Sequence, residues 1–192
     1  MGTVTPLPRG RAPMSKERTV NSVGLTVALI GSFQHHYKDV CSAWLAFSEA
    51  EIKVTTPKGA PIIEHGIPFV RFSSDPKSWT DPEIQTLALH RIFRSDFVFV
   101  VAPSGYVGRT TCYEIGRVIQ AKRPLYFSEY PNDLPINVPK EYVKSVNEII
   151  NLVKESSFLP KPMYLSEGQN RHECDLLNGI YKEDEHFQSY ET

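Results

Sequence analysis

The sequence has no long apolar run, no excess of charge of one sign and few cysteines. No stretch approaches the ~20 apolar residues that a membrane-spanning helix needs, and the basic N-terminal region lacks the apolar segment of a signal peptide. The 21 basic and 22 acidic residues nearly balance, so composition gives no case for binding nucleic acid or an anionic membrane. Any recognition of an anion must therefore be local.

The three cysteines are Cys41, Cys112 and Cys174, which lie far apart and have no CxxC spacing. An odd, sparse set argues against a disulfide framework and favours a reducing compartment. Each is interpreted as a small buried hydrophobe. We therefore expect a cytoplasmic protein.

Several common catalytic fingerprints are also missing. The chain has no GxGxxG, and its segment GYVGRTT at 105–111 lacks the GK[ST] ending of a P-loop. No GxSxG elbow supports a Ser–His–Asp triad. No set of His, Cys and carboxylates has metal-site spacing. The sequence thus predicts neither a metal nor a dinucleotide cofactor.

What the chain does contain is an alternation of short apolar runs with amphipathic segments. Strands are predicted at residues 25–30, 51–55, 67–72, 97–102 and 123–127. Inward helical faces are predicted for Val40, Trp44 and Phe47, for Ile84, Leu87, Ala88 and Ile92 after a Thr80–Glu83 capping box, and for Val143, Val146, Ile150 and Val153. This alternation is typical of a three-layer α/β sandwich, flavodoxin-like or Rossmann-like, with a largely parallel sheet of about five strands.

The length fits one domain better than two. Residues 1–22, rich in Pro, Gly and Arg, are predicted to be a flexible leader, and residues 23–158 the α/β domain. Residues 159–192 form a C-terminal tail without a clear period. Two interpretations of this tail are open: it forms a helix near 174–181, or it packs on a partner subunit.

The candidate site is predicted mainly from the stretch at 95–120, which reads SDFVFVVAPSGYVGRTTCYEIGRVIQ. This stretch predicts a buried strand, a glycine-bearing loop at 103–108 and a helix beginning near Thr111. In an open parallel sheet, ligands bind beyond the carboxyl ends of the strands. The Gly31-Ser32-Phe33 turn after the first strand is expected at that same edge, where it would line the crevice.

Glu114 has two interpretations. Thr111 and Glu114 fit the S/T-x-x-E capping box, in which the Glu side chain accepts a hydrogen bond from the N-cap backbone. Alternatively, a carboxylate held ionised at a helix N-terminus could attack a substrate carbon. Asp96 is equally open, because it could cap the preceding helix region or face the crevice. If it lay beside Glu114, the two would resemble the carboxylate pair that cleaves glycosidic bonds.

The loop after the central strand is a candidate anion site. Backbone N–H groups, two hydroxyls and a guanidinium gather at the helix start, from Gly105, Gly108, Arg109, Thr110 and Thr111. The competing interpretation is a simple tight turn. His35 and His36 could bind a phosphate or a base. The alternative interpretation is that they are ordinary loop residues.

The chain resembles the nucleoside 2-deoxyribosyltransferase superfamily, which includes the deoxynucleoside 5′-monophosphate N-glycosidases. The matching segments are ALIGSF at 28–33, Ser95-Asp96, GYVGRTTCYEIG at 105–116 and KRPLY at 122–126. Together they place the resemblance over roughly residues 24–135.

The resemblance implies that Glu114 is a nucleophile that attacks C1′ of the (deoxy)ribose, expels the base and forms a glycosyl-enzyme. Asp96 would orient the sugar or help protonate the base, Ser32 and Phe33 would wall the pocket, and the loop at 105–111 would contact the 5′ end. A nucleoside or nucleotide is the implied partner, no cofactor is implied, and a homo-oligomer is expected because the family tends to complete its sites across subunits. Gly108 stands where the compared transferases carry an Asp, which with Arg109 nearby favours a phosphorylated substrate.

Two other functions stay open at the level of sequence. A phosphoribohydrolase of the cytokinin-activating type has a similar glycine-rich loop and following Glu, although PSGYVGRTT departs from its PGGxGT pattern. A nucleotide-binding sensor would keep the fold without turnover, and fold alone does not distinguish these functions.

Overall fold

The computed structural model describes residues 24–59, 70–155, 157–165 and 167–183. The strands are β1 Thr26–Gly31, β2 Lys53–Thr56, β3 Phe97–Val101 and β4 Leu125–Phe127. The helices are α1 Tyr37–Glu49, α2 Asp81–Phe93, α3 Arg109–Gln120, α4 Val146–Lys154 and α5 Glu167–Leu177, with short 3₁₀ turns at Pro103–Gly105 and Lys140–Tyr142. The predicted leader at 1–22 lies outside the described residues.

The four strands form one parallel sheet in the order β2-β1-β3-β4. The fold is therefore α/β and flavodoxin-like, which confirms the predicted class. The predicted fifth strand at 67–72 is not found among the described residues. Residues 67–69 lie outside them, and 70–72 form no strand beyond a single bridge position at Phe72.

The sheet is the core of the domain because its central strands are apolar on both faces. Every residue of β3 is buried, as are the last five of β1, which is the pattern of a parallel sheet covered by helices on both sides. Helices α1 and α4 pack against each other on one face. Right-handed crossovers then place α2 and α3 on the other face.

The strand order creates a crevice at one edge of the sheet. The chain leaves β1 toward β2 on one side, and leaves β3 toward β4 on the other. The connections after these two neighbouring strands therefore diverge, and such a switch point is where α/β sheets bind ligands.

Helix α2 begins as its sequence predicts. The Thr80 N–H donates to Glu83 Oε2 at 2.7 Å, which forms the predicted capping box and fixes the first turn. Ile84 and Ile92 are buried, as expected from their spacing. Helix α2 therefore presents one face to the sheet and the cleft.

The described part of the tail packs on its own domain. Met163, Tyr164 and Leu177 join the hydrophobic core, and the Tyr164 hydroxyl donates to the carbonyl of Asn137 at 2.6 Å. Helix α5 lies earlier than the predicted 174–181 helix and ends at Leu177. Several large apolar side chains of this region remain exposed: Leu159, Leu165, Leu176, Ile180 and Tyr181.

Candidate functional site

A cleft of ≈ 630 Å³ opens at the carboxyl ends of β1 and β3, between the loops that follow them and the inner face of α2. This volume is that of a typical small-molecule site. Eight of the ten predicted site residues line it: Gly31, Ser32, Phe33, Gly108, Arg109, Thr110, Thr111 and Glu114. Gly105 and Asp96 do not.

Glu114 is held in the cleft wall by a neighbouring helix. Helix α3 begins at Arg109 with Gly108 as its N-cap, so Glu114 lies in the second turn rather than the first. Its Oε1 accepts a hydrogen bond from Gln85 Nε2 of α2 at 2.8 Å, and the residue is 8% exposed. The predicted capping box of Thr111 and Glu114 is therefore wrong, because Thr111 already lies inside the helix.

Burial changes the acidity of this carboxyl group. Desolvation raises the pKa of Glu114 to about 7, against a smaller lowering by the Gln85 hydrogen bond. Both protonation states are thus accessible near neutral pH. A carboxyl group with such a pKa in a cleft can act as a nucleophile when ionised or as an acid when protonated.

Asp96 lies at the other edge of the sheet. It precedes β3, and its Oδ2 accepts hydrogen bonds from the Thr26 N–H at 2.7 Å and the Thr26 hydroxyl at 2.8 Å. The five residues of β3 separate it from the cleft, a distance of about 16 Å along the strand. The structure therefore does not bring Asp96 and Glu114 together, and Asp96 instead joins the amino ends of β1 and β3.

The turn after β1 forms one wall of the cleft. A Cβ at Gly31 would approach the carbonyl oxygen of Val101 to 2.7 Å, so glycine here permits the close pairing of β1 and β3. Ser32 Oγ accepts a hydrogen bond from the backbone N–H of His35 at 3.3 Å. The Phe33 ring packs edge-on against Phe72, with centroids 5.2 Å apart.

The predicted anion loop already holds an anion of the protein itself. The carboxylate of Asp133 accepts hydrogen bonds from the N–H groups of Val107 at 3.0 Å and Gly108 at 3.1 Å. Gly105 packs behind the loop, where a Cβ would meet the carbonyl oxygen of Tyr130 at 2.6 Å. The tight-turn interpretation therefore holds for Gly105, and the donors that face the cleft belong to the start of α3.

The two adjacent histidines lie beside Tyr106. The His35 ring packs edge-on against Tyr106 with centroids 5.3 Å apart, and the His36 ring lies 5.7 Å from it. Of the pair, only His35 lines the cleft. His36 Nδ1 instead lies 3.6 Å from a carboxylate oxygen of Asp39.

Among the cleft residues that were not predicted as site residues are Gln85, Arg91 and Asp75. Arg91 Nη1 lies 3.8 Å from Asp75 Oδ1, and the two side chains are only 10% and 4% exposed. The Phe72 N–H donates to the other oxygen of Asp75 at 2.9 Å. A sequence signal for Arg91 existed, because it follows Ile84 by two helical turns and so shares its inward face.

Comparison of the chain with protein-family models, curated proteins and solved structures found no match. Within the described ranges, no three His, Cys, Asp or Glu side chains are grouped so that they could hold a metal ion. None of the helices described has the length and hydrophobicity of a membrane span. A function is therefore inferred from the geometry of the cleft.

Proposed function

We propose that the protein cleaves or transfers the N-glycosidic bond of a (deoxy)nucleoside or its 5′-monophosphate, with Glu114 as the nucleophile. The observation that carries this proposal is the buried carboxyl group of Glu114 in a cleft of nucleotide size, held through one oxygen by Gln85. Within the described residues this is the hydrogen bond that Glu114 accepts from another side chain, and Oε2 is assigned as the reacting oxygen. The resemblance of the surrounding GYVGRTTCYEIG segment to the deoxyribosyltransferases supports the same role.

The proposed reaction has two steps. Oε2 of ionised Glu114 forms a bond to C1′ while the C1′–N bond breaks, and its electron pair leaves with the base, which takes a proton from solvent. Water or a second base then forms a bond to C1′ and loses a proton to solvent, while the Oε2–C1′ bond breaks and its electron pair returns to the carboxylate. Water gives hydrolysis, and a second base gives transfer.

The ends of the cleft suggest how the substrate lies. Arg109 and Thr110 at the start of α3 line it on an exposed side, where a guanidinium and helix N–H groups suit a 5′-phosphate. Ser32 and Phe33 are assigned to the sugar and base. Because Asp96 lies at the other edge of the sheet, the proposal gives it no contact with the substrate.

The test is chromatographic. The protein is incubated with a panel of nucleosides and 5′-monophosphates, with and without a free acceptor base, and released or exchanged base is measured. We expect release by the wild type and by Glu49→Gln, an exposed change on α1 that serves as the matched control, and none by Glu114→Gln. Equal release by Glu114→Gln would reject the nucleophile, and dependence on the acceptor separates transferase from hydrolase.

One observation favours a second candidate function, a nucleotide sensor without turnover. The cleft does not contain the predicted second carboxylate, since Asp96 lies elsewhere. A sensor would bind a nucleotide without releasing its base, and its affinity would not depend on Glu114→Gln. Nucleotide binding measured by calorimetry beside the chromatographic assay separates the two.

We also propose that the chain forms a homo-oligomer. The exposed apolar side chains of Leu176, Ile180 and Tyr181 at the end of α5 and just beyond it would suit a subunit contact. Light scattering coupled to size-exclusion chromatography measures the mass directly. Because the monomer mass is 21.8 kDa, a species of that mass at micromolar concentration would contradict the proposal.

A further inference from the structure

Arg91 and Asp75 form a buried pair of opposite charges in the wall of the cleft. Arg91 is 8% exposed and Asp75 7%, yet both line the cleft. The groups are 3.8 Å apart at their closest, which is too long for a hydrogen bond. In the part of the chain that the structure describes, no group accepts a hydrogen bond from the Arg91 guanidinium.

A guanidinium that is buried in this way is costly unless water in the cleft, a ligand or a partner completes its hydrogen bonds. Asp75 balances the charge without saturating the donors, because one of its oxygens accepts from the Phe72 N–H. The pair therefore offers several N–H donors beside a carboxylate acceptor. The same cleft also contains the apolar side chains of Leu29, Ile84 and Ile92.

This arrangement suits an uncharged ring better than a phosphate. A phosphate dianion close enough to accept from Arg91 would also lie near the carboxylate of Asp75, and the repulsion would be screened little in so buried a place. A nucleobase edge presents an acceptor next to a donor, which matches a guanidinium next to a carboxylate. An apolar slot with a few polar groups at one end is the usual form of a site for such a ring.

We propose that Arg91 and Asp75 are the specificity-determining pair of the cleft and bind the hydrogen-bonding edge of a nucleobase. Arg91 donates to a ring nitrogen or carbonyl of the base, and Asp75 accepts from its neighbouring N–H. The phosphate, where present, binds at the start of α3 instead. The identification of the ring as a nucleobase rests on the proposed function.

The test measures binding and needs no turnover. Adenine, hypoxanthine, cytosine, uracil and ribose 5-phosphate are titrated by calorimetry into the wild type, Arg91→Lys, Arg91→Gln and the uncharged pair Asp75→Asn/Arg91→Gln. Arg94→Gln, an exposed change at the end of the same helix, is the matched control. Thermal unfolding of each protein shows that it is folded, and the uncharged pair covers the case in which a lone buried charge prevents folding.

We expect at least one base to bind the wild type and Arg94→Gln, and to bind each Arg91 variant at least tenfold more weakly. Ribose 5-phosphate affinity should change by less than about twofold. The Arg91→Lys variant tests the planar fork, because lysine keeps the charge but not the paired donors. Asp75→Asn/Arg91→Gln should also change which base binds best.

Three results would overturn the inference. Loss of ribose 5-phosphate binding with base binding intact would make Arg91 a phosphate ligand. Unchanged binding of every ligand would make the pair a structural contact, and no base binding to the wild type would remove the site altogether. Base binding that depends on Arg91 without any base release would support base recognition by the pair and reject the proposed N-glycosidase activity. Failure of the inference and failure of the proposed function are therefore distinguishable.

Discussion

Two carboxylates flank the central strand, and their surroundings give them opposite uses. Asp96 precedes β3 and accepts two hydrogen bonds from Thr26, whereas Glu114 lies beyond the end of β3 and accepts one from Gln85. Asp96 joins two strands, and Glu114 faces a cleft. Whether a carboxylate beside a parallel strand can contact a ligand therefore depends on the end of the strand at which it lies.

The largest expected effect concerns turnover. Glu114→Gln should lower the rate of base release by at least about 10³-fold, because the amide is not a nucleophile. Asp96→Asn should leave the rate per folded molecule within about twofold of the wild type. Single-turnover kinetics on the preferred substrate measures both. A large loss of rate in Asp96→Asn with the fold intact would show that Asp96 takes part in the reaction.

The next effect concerns stability and its dependence on pH. The folded protein raises the pKa of Glu114 from 4.5 to about 7, so folding favours the protonated form. Its contribution is fully present below about pH 4.5 and is lost as the pH rises through about 7. Above pH 8, ionised Glu114 should cost about 3 kcal/mol.

Replacement of Glu114 by Gln should therefore raise the free energy of unfolding above pH 8 by about 3 kcal/mol more than it does at pH 4. Urea titrations of both proteins at the two pH values measure this difference. Glu49→Gln, which changes an exposed carboxylate, should show no comparable dependence on pH. An equal effect of Glu114→Gln at both pH values would contradict the raised pKa.

A smaller effect is expected at the other end of the strand. Asp96→Ala removes the acceptor of the Thr26 N–H and hydroxyl, and should lower the free energy of unfolding by about 1–2 kcal/mol. The loss should be the same with or without a bound nucleotide. Ligand-dependent destabilisation would instead connect Asp96 to the cleft.

The smallest expected effect concerns the hydrogen bond that Glu114 accepts from Gln85. The Gln85 amide lowers the pKa of this carboxyl group, so Gln85→Leu should raise it further, by about 0.5–1 pH unit. Since the ionised form is the nucleophile, kcat/KM rises with pH through that pKa. The midpoint of this rise should move to higher pH in the variant, while Gln85→Glu, which adds a second carboxyl group, should move it further still.

Much of the fold was predictable from local patterns. The four observed strands overlap segments that were predicted as strands, and the Thr80–Glu83 box marked the start of α2. The crevice was also predictable, because strand order and loop position follow from the alternation of strands and helices. Eight predicted residues line the cleft for this reason.

The remaining features depend on contacts between distant segments. The bond from Gln85 to Glu114 joins residues 29 positions apart, and the Asp133 contact with Val107 spans 26, so no local pattern encodes either. The start of α3 was placed too late because Gly108, with φ +81, acts as the N-cap in place of a side chain. Asp96 was left open although its position before a parallel strand already placed it at the edge away from the crevice.

The carboxylate of Asp133 competes with free anions for the N–H groups of the glycine-bearing loop, and it belongs to the same chain. This carboxylate occupies two N–H groups that a free anion would otherwise use, and an attached group acts at an effective concentration on the order of millimolar or more. Phosphate or sulfate in ordinary buffers would therefore have to exceed that concentration to occupy the same groups. The same two hydrogen bonds fix the shape of the loop through contacts within the protein, which lowers the entropy cost of ordering it when a nucleotide binds.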